Sequence, residues 1–335
     1  MSEESAALRT HFFGGNIKAR GLPRLKVIDK CTHGIFILDI EVELIWGFID
    51  KKITTILKLK RVIPKVRGIL AKILAILDKT DTPVTWGILG HVILDRCKCI
   101  DGIAHPEVPR GTYSWLNRDW FAYDPCSDIE HEPAFYGKDI VDTIIDYVRE
   151  SPLPHDVASH SFSHQIFGDI GCTEEVADAE VRLCKELLYK NYGIKPKVFI
   201  FPRDSVGHIQ VLKKHGFIAF RGPIPGYPFF KFMYPPLVYP KNIDGLISIP
   251  ASLCFGSVKF PVESLYALAR VGLKRAALKG GIFHMHTHMH NFVLWPSEKA
   301  IKYFYNLLQL RNRLGLSSST IHEVTKAYLR GDLYR

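Results

Sequence analysis

The feature that most constrains this chain is a regular alternation of short apolar runs with longer stretches of helical periodicity, sustained from about residue 34 to the C-terminus. Strands are expected over 34–39, 83–88, 156–159, 197–201, 217–220, 246–249 and 281–286, and helices over 53–78, 138–150, 173–190, 206–215, 262–277, 296–314 and 319–330. Runs of four to eight apolar residues between amphipathic helices describe strand-helix units, which build a parallel sheet. About seven such units without an intervening linker predict one α/β domain with a closed or nearly closed barrel. Residues 1–30 read as an N-terminal extension and 31–335 as the barrel.

With 47% hydrophobic and 23% charged residues over 335 positions, the chain can bury a large core. The most apolar non-strand stretch, 53–77, carries Lys58, Lys60, Arg61, Lys65, Arg67 and Lys72, too many charges for a membrane span. It reads as an amphipathic helix interrupted at Pro64, with a basic face that water solvates or that serves as a peripheral membrane contact. Glu3 and Glu4 stand where a signal peptide would be basic, so a cytoplasmic protein is expected, with membrane association as the secondary reading. Seven dispersed cysteines (Cys31, Cys97, Cys99, Cys126, Cys172, Cys184, Cys254) do not describe a disulfide framework and are expected as reduced, mostly buried thiols. The net charge of +10 favours acidic partners, but the basic residues are not interleaved with stacking aromatics, and nucleic acid is not expected.

Four polar clusters fall where predicted strands end, the rim at which α/β barrels assemble active sites. At Phe36-Ile37-Leu38-Asp39-Ile40-Glu41-Val42-Glu43 an apolar strand runs into carboxylates that need a cation or a structural ion pair. At His160-Ser161-Phe162-Ser163-His164 two imidazoles four apart share one face if the segment is a helical turn; they can grip one ion or merely sit at the surface. His284, His286 and His288 alternate along an extended segment, an improbable piece of apolar core. Pro202-Arg203-Asp204 closes a fourth strand and has a surface ion pair as its bland reading. The long irregular stretch 98–137, rich in Tyr, Trp, Pro and Asp, is expected over the mouth of the barrel, where Tyr113, Trp115, Trp120 and Tyr123 could stack on a sugar ring or pack on the protein.

The order of carboxylates, His-Ser-x-x-His, strand-Pro and late His resembles the polysaccharide deacetylase (NodB-like, carbohydrate esterase family 4) superfamily over roughly 34–292. The subgroup resembled most has Asp-x-Glu-x-Glu-x-x-Trp-Gly, here Asp39 to Gly47, with further similar segments at 85–91, 124–127 and 164–169. The resemblance implies an irregular (β/α)7 barrel, an N-acetylated glycan or sugar-lipid as substrate, and a divalent cation (Zn²⁺, or another such as Co²⁺). By it, Glu41, His160 and His164 align with the metal ligands, Asp39 with the general base and His288 with the general acid, His284 being the alternative. His91, Trp115, Asp124 and His284 fall on the substrate side. The family's usual adjacent Asp-Asp is replaced here by carboxylates one residue apart. The third motif also departs, so that Arg203 would serve the oxyanion through its backbone N–H. Two rival readings remain: a metal-independent hydrolase of small amides on the same barrel, and a non-catalytic glycan-binding protein.

Overall fold

The computed structural model describes residues 34–226, 234–256 and 260–333. Cys31 and the expected N-terminal extension lie outside them. Its strands are β1 (Ile35–Val42), β2 (Thr85–Ile88), the short hairpin β3 (Cys99–Ile100) and β4 (Ile103–Ala104), β5 (Asp156–Ser159), β6 (Val198–Ile200), β7 (Ala219–Gly222), β8 (Lys241–Ile243), β9 (Leu246–Pro250), β10 (Leu253–Cys254), β11 (Ile282–His288) and β12 (Ser317–Ser319).

The principal sheet runs β11-β1-β2-β5-β6-β7-β9, with every neighbouring pair parallel. Its closure depends on one extended segment. β9 pairs with β7, and two residues later the same chain, as β10, pairs in parallel with β11 through Leu253–Met285 and Cys254–His286. The hand-over is made by Ala251 N–H donating to Gly222 O (3.0 Å) and Ser252 N–H donating to His284 O (2.7 Å). The ring therefore has seven staves, β9 and β10 forming one of them, and it is the irregular (β/α)7 barrel expected from the sequence. β8 adds an antiparallel edge to β9, and β12 lies beside the first half of β1, where β2 has not yet begun.

All eight residues of β1 are buried, as a stave covered on both faces requires. Phe36, Leu38, Ile40 and Val42 face outward into the core beneath the helices. Ile35 and Ile37 face inward, where they meet Ala158, Val198, Ile200, Ala219, Ile247, Ile249 and Ile282. Ile321 and Val324 of the Ile321–Leu329 helix join that inner cluster and close the bottom of the barrel. Alternation along β1 then puts Asp39 and Glu41 on the inward face above this apolar plug. The lumen thus changes from hydrocarbon at the N-terminal ends of the strands to charge at their C-terminal ends.

The helices start and stop where local chemistry tells them to. Glu174–Tyr192 begins at Thr173, whose side chain accepts from Val176 N–H, carries Glu174 and Glu175 in its first turn, and ends at Gly193 in the left-handed region (φ 71°). The single helix expected over 53–78 is three pieces: Ile53–Leu59, a 3₁₀ turn Ile63–Val66 opened by Pro64, and Arg67–Lys79. Proline lacks the donor an uninterrupted helix would need there. On the first piece Ile53 and Leu57 are 43% and 54% exposed, an apolar stripe among lysines. Among the described residues no helix is long and apolar enough to cross a membrane.

Candidate metal centre and active-site cleft

β1 continues three residues beyond its expected end, so Asp39, Glu41 and Glu43 occupy successive inward positions at the C-terminal end of the strand, with Glu43 just past its last residue. In the parallel register Ile37 lies opposite His284, Asp39 opposite His286 and Glu41 opposite His288. Alternation therefore lays a ladder of carboxylates beside a ladder of imidazoles.

The expected helical turn at His160–His164 is instead an irregular loop with Ser161 (φ 65°) and His164 (φ 69°) in the left-handed region. Glu180, reaching in from the Glu174–Tyr192 helix, holds this loop by accepting from Phe162 N–H (3.0 Å), Ser163 N–H (2.7 Å) and the Ser163 hydroxyl (2.5 Å). The loop brings both imidazoles onto one carboxylate oxygen, Glu43 Oε2, at 2.9 Å from His160 Nε2 and 2.9 Å from His164 Nε2. Glu41 Oε2 is 3.2 Å from His160 Nε2, and its other oxygen is bound by Arg221 at 2.6 Å. The trio of donor atoms that closes on both histidines thus contains Glu43, whereas the sequence placed Glu41 there. The physical reason is one pleat: Glu43 sits a full strand repeat closer to the loop.

These residues fit a cation. His160 Nδ1–H donates to Ile200 O (2.9 Å), which leaves Nε2 of the neutral ring with a lone pair aimed at two carboxylates. Only positive charge, on the ring or beside it, makes that contact favourable. Glu41 and Glu43 are almost fully buried. Burial alone would raise the Glu41 carboxyl, but Arg221 and then His288 outweigh it and hold its pKa far below the carboxylate range. For Glu43, His164 and His288 likewise overcome burial. Burial pulls His160 down, yet Glu41 and Glu43 lift its pKa above the ordinary value. Asp39, Glu41 and Asp204 surround one guanidinium, Arg221, and Glu43 has only imidazoles beside it, so the centre has negative charge in excess.

The other expected residues divide by access to the cleft, a space of ≈ 510 Å³ lined by Glu41, Glu43, His164, Arg203, Arg221, His286, His288 and His290, with Phe48, Pro223 and Ile224 as apolar wall. His288 is in the cleft, its Nε2 3.5 Å from Glu41 Oε2 and 3.6 Å from Glu43 Oε1. Asp39 and His284 are not: both are fully buried one layer below, joined at 2.7 Å, and the second Asp39 oxygen takes Arg221 at 2.7 Å. Arg203 lines the cleft at φ 58°, while its guanidinium is occupied by Gly47 O (2.9 Å) and Asp50 Oδ1 (2.6 Å). Burial drives His286 down to about 4 and His290 down to about 3, so both imidazoles are neutral near pH 7.

Three substrate-side expectations do not reach this space. The 98–137 stretch packs against the end of β2 rather than across the mouth, because Tyr113, Trp120, Phe121, Phe135 and Tyr136 bury their rings in the core. Trp115 stacks on Tyr113 and donates to Asp169. His91 and Asp124 lie in a separate buried cluster. Of the thiols, Cys97, Cys172 and Cys184 are buried as expected, but Cys99 is exposed and Cys126 and Cys254 are partly so.

Four contributors were given no role at the site by the sequence reading, although Glu43 and Gly47 stand in its first motif. Arg221 lies near the end of β7, one residue past the expected boundary; an arginine ending the apolar run Phe217-Ile218-Ala219-Phe220 was the available signal. Glu43 continued the period-two carboxylate pattern. Glu180 stands alone on the buried face of a helix otherwise lined by Val, Ala, Cys and Leu. Gly47 passes so close to the centre that a Cβ there would meet Glu43 Oε1 at 1.9 Å.

No protein-family model matches the sequence, and a comparison with curated proteins finds none that match. Solved structures do match. A protein of Mycobacterium smegmatis assigned to the polysaccharide deacetylases superposes with a TM-score of 0.61 at 12% identity, covering 91% of this chain and 93% of that one. A GH57-type branching enzyme of the archaeon Pyrococcus horikoshii gives a TM-score of 0.51 at 12% identity over 88% of this chain and 70% of that one. The barrel of the NodB-like polysaccharide deacetylase superfamily is therefore the fold of this chain. Because a branching enzyme shares its outline, the barrel alone does not fix the reaction.

Proposed function

We propose that the cleft hydrolyses the acetamide of an N-acetylated sugar or glycan, releasing acetate and a free amine, with a divalent cation held by Glu43, His160 and His164. One observation carries the reading: two imidazoles from the loop after β5 converge at 2.9 Å on a carboxylate from the end of β1, at the wall of an open cleft that the carboxylate and His164 line, and beside a second carboxylate. Two nitrogens and one oxygen suit Zn²⁺, and Co²⁺ as its substitute. When bound, such an ion supplies Lewis acidity and brings the pKa of water toward neutrality.

The protein's own groups complete the chemistry. Glu41 is the group to accept the proton of the attacking water, since it faces the cleft where Asp39 does not. Arg221 fixes one Glu41 oxygen and keeps it ionised; Asp39, braced by His284, in turn fixes Arg221. His288, across the cleft from Glu41, is placed to give a proton to the departing amine, which cannot leave as an anion. With the Arg203 guanidinium engaged elsewhere, the backbone N–H remains as its contribution to the oxyanion. Phe48, Pro223 and Ile224 offer an apolar wall suited to one face of a hexose. The exposed Ile53 and Leu57, next to Lys51 at the cleft rim, support a lipid-linked sugar met at a membrane surface from the cytoplasmic side.

Acetate release from a panel of N-acetylhexosamine oligomers and lipid-linked sugars tests the reading. Release should stop on chelation and return with Zn²⁺ or Co²⁺. Turnover indifferent to a chelator and to Glu43→Ala, or no release from any acetylated sugar by zinc-loaded protein, would sink it.

A further inference from the structure

We propose a second metal site, structural and distinct from the cleft, in which His91, His105 and Asp124 bind one Zn²⁺ and the neighbouring thiols of Cys97 and Cys126 supply the remaining donor.

The three residues come from separate parts of the chain. His91 opens the turn after β2, His105 follows β4, and Asp124 lies near the end of the long irregular stretch. Their donor atoms nevertheless form a tight triangle: His91 Nε2 to His105 Nε2 3.0 Å, His91 Nε2 to Asp124 Oδ2 2.9 Å, and His105 Nε2 to Asp124 Oδ2 3.2 Å. Hydrogen bonds cannot satisfy all three edges. If each ring nitrogen donates to the carboxylate, two N–H groups confront each other. If one donates to its neighbour, the acceptor nitrogen turns a lone pair on the carboxylate. A cation serves all three lone pairs together. A tetrahedral zinc with ligand bonds of about 2.0–2.1 Å has donor–donor edges of about 3.3 Å, a few tenths from those found.

The surroundings match a closed site. His91, His105 and the Asp124 side chain are 0%, 3% and 0% exposed, and among the described residues no lysine or arginine pairs with Asp124. Its second oxygen accepts from Cys126 N–H (2.9 Å) and the Tyr136 hydroxyl (3.3 Å), which fixes the carboxylate's orientation as outer partners of a metal ligand do. The Trp46 ring lies 4.0 Å from that of His91, and Phe121 and Phe162 flank His105 at 5.0 and 5.4 Å. Asp124 also groups with Cys97 and Cys126 at ligand spacing, so thiols border the same carboxylate. The ion would tie the long stretch to the end of β2.

The H160A/H164A variant removes the cleft set and isolates the question. After equilibration with Zn²⁺ and desalting it should retain about one equivalent of zinc, and adding Asp124→Asn should lose it. Loaded with Co²⁺, H160A/H164A should show a thiolate-to-cobalt charge-transfer band that the further changes C97S and C126S together abolish. A folded H160A/H164A protein holding no zinc overturns the site; zinc without the charge-transfer band overturns the thiol ligand. Should H160A/H164A not fold, zinc titration of the unaltered protein and of Asp124→Asn against a chromophoric chelator decides: about one equivalent fewer in Asp124→Asn upholds the proposal and equal content overturns it.

Discussion

The molecule holds two groups of metal-competent side chains built from nearly the same chemistry, and they differ in what surrounds them. At the barrel mouth the Glu43, His160 and His164 group meets a cleft of ≈ 510 Å³ through Glu43 and His164, with the titratable Glu41 and His288 alongside. Beneath the long irregular stretch, His91, His105 and Asp124 are walled by Trp46, Phe121 and Phe162. Ligand type alone does not separate a reacting ion from a fastening one; access and the presence of a spare acid or base do.

Four changes would break or sharpen this contrast. The largest effect is expected from Glu43→Ala: acetate release should fall to the uncatalysed level while zinc analysis still finds the buried ion. Loss of both ions together would mean that the groups are not independent. Next, His288→Ala should lower turnover by about 10²- to 10⁴-fold, the usual yield of a positioned proton donor. Metal content should not change, and a lost cleft ion would make His288 a ligand instead. Gly47→Ala is smaller and more local. Its new methyl must displace the Glu43 carboxylate, so cleft affinity for Zn²⁺ should drop about 10- to 100-fold, measured by competition titration, with little change in melting temperature.

The smallest effect concerns the opposite end of the stave that leads to His160. Asp156, at the start of β5, has a buried Oδ2 without a hydrogen-bond partner, and burial raises its pKa from 3.8 to about 6. The fold therefore favours the protonated acid. Its contribution to stability is whole below pH 3.8 and is lost as pH rises through about 6. Asp156→Asn should match the parent protein at low pH and exceed it by about 3 kcal/mol at pH 7 in denaturant titration, with activity unchanged. Equal stability at both pH values would show that the carboxylate is better solvated than its surroundings suggest.

The strand-helix alternation, the barrel and the rim position of the polar clusters were legible because period-two and period-3.6 patterning survive in the sequence wherever one face is buried. Strand ends were less so. Stopping β1 at Asp39 and β7 at Phe220 hid Glu43 and Arg221, since a charged residue reads as a boundary unless its buried partner is known. The Tyr- and Trp-rich composition of 98–137 suggested a lid, whereas the mixture of Cys97, His105, Asp124 and Cys126 in and beside it was the better clue to a fastened loop. Nor could any local pattern show one segment pairing first with β7 and then with β11, because both partners lie tens of residues away.

That shared segment makes the barrel unequal around its circumference. β11 receives only two rungs from it, so this seam should be among the first places where amide protons exchange, near Ala251 and Ser252. Arg221 and His286 stand on the two strands that flank the seam. A breath of the wall there would part the guanidinium from the imidazoles while the apolar plug beneath stays packed.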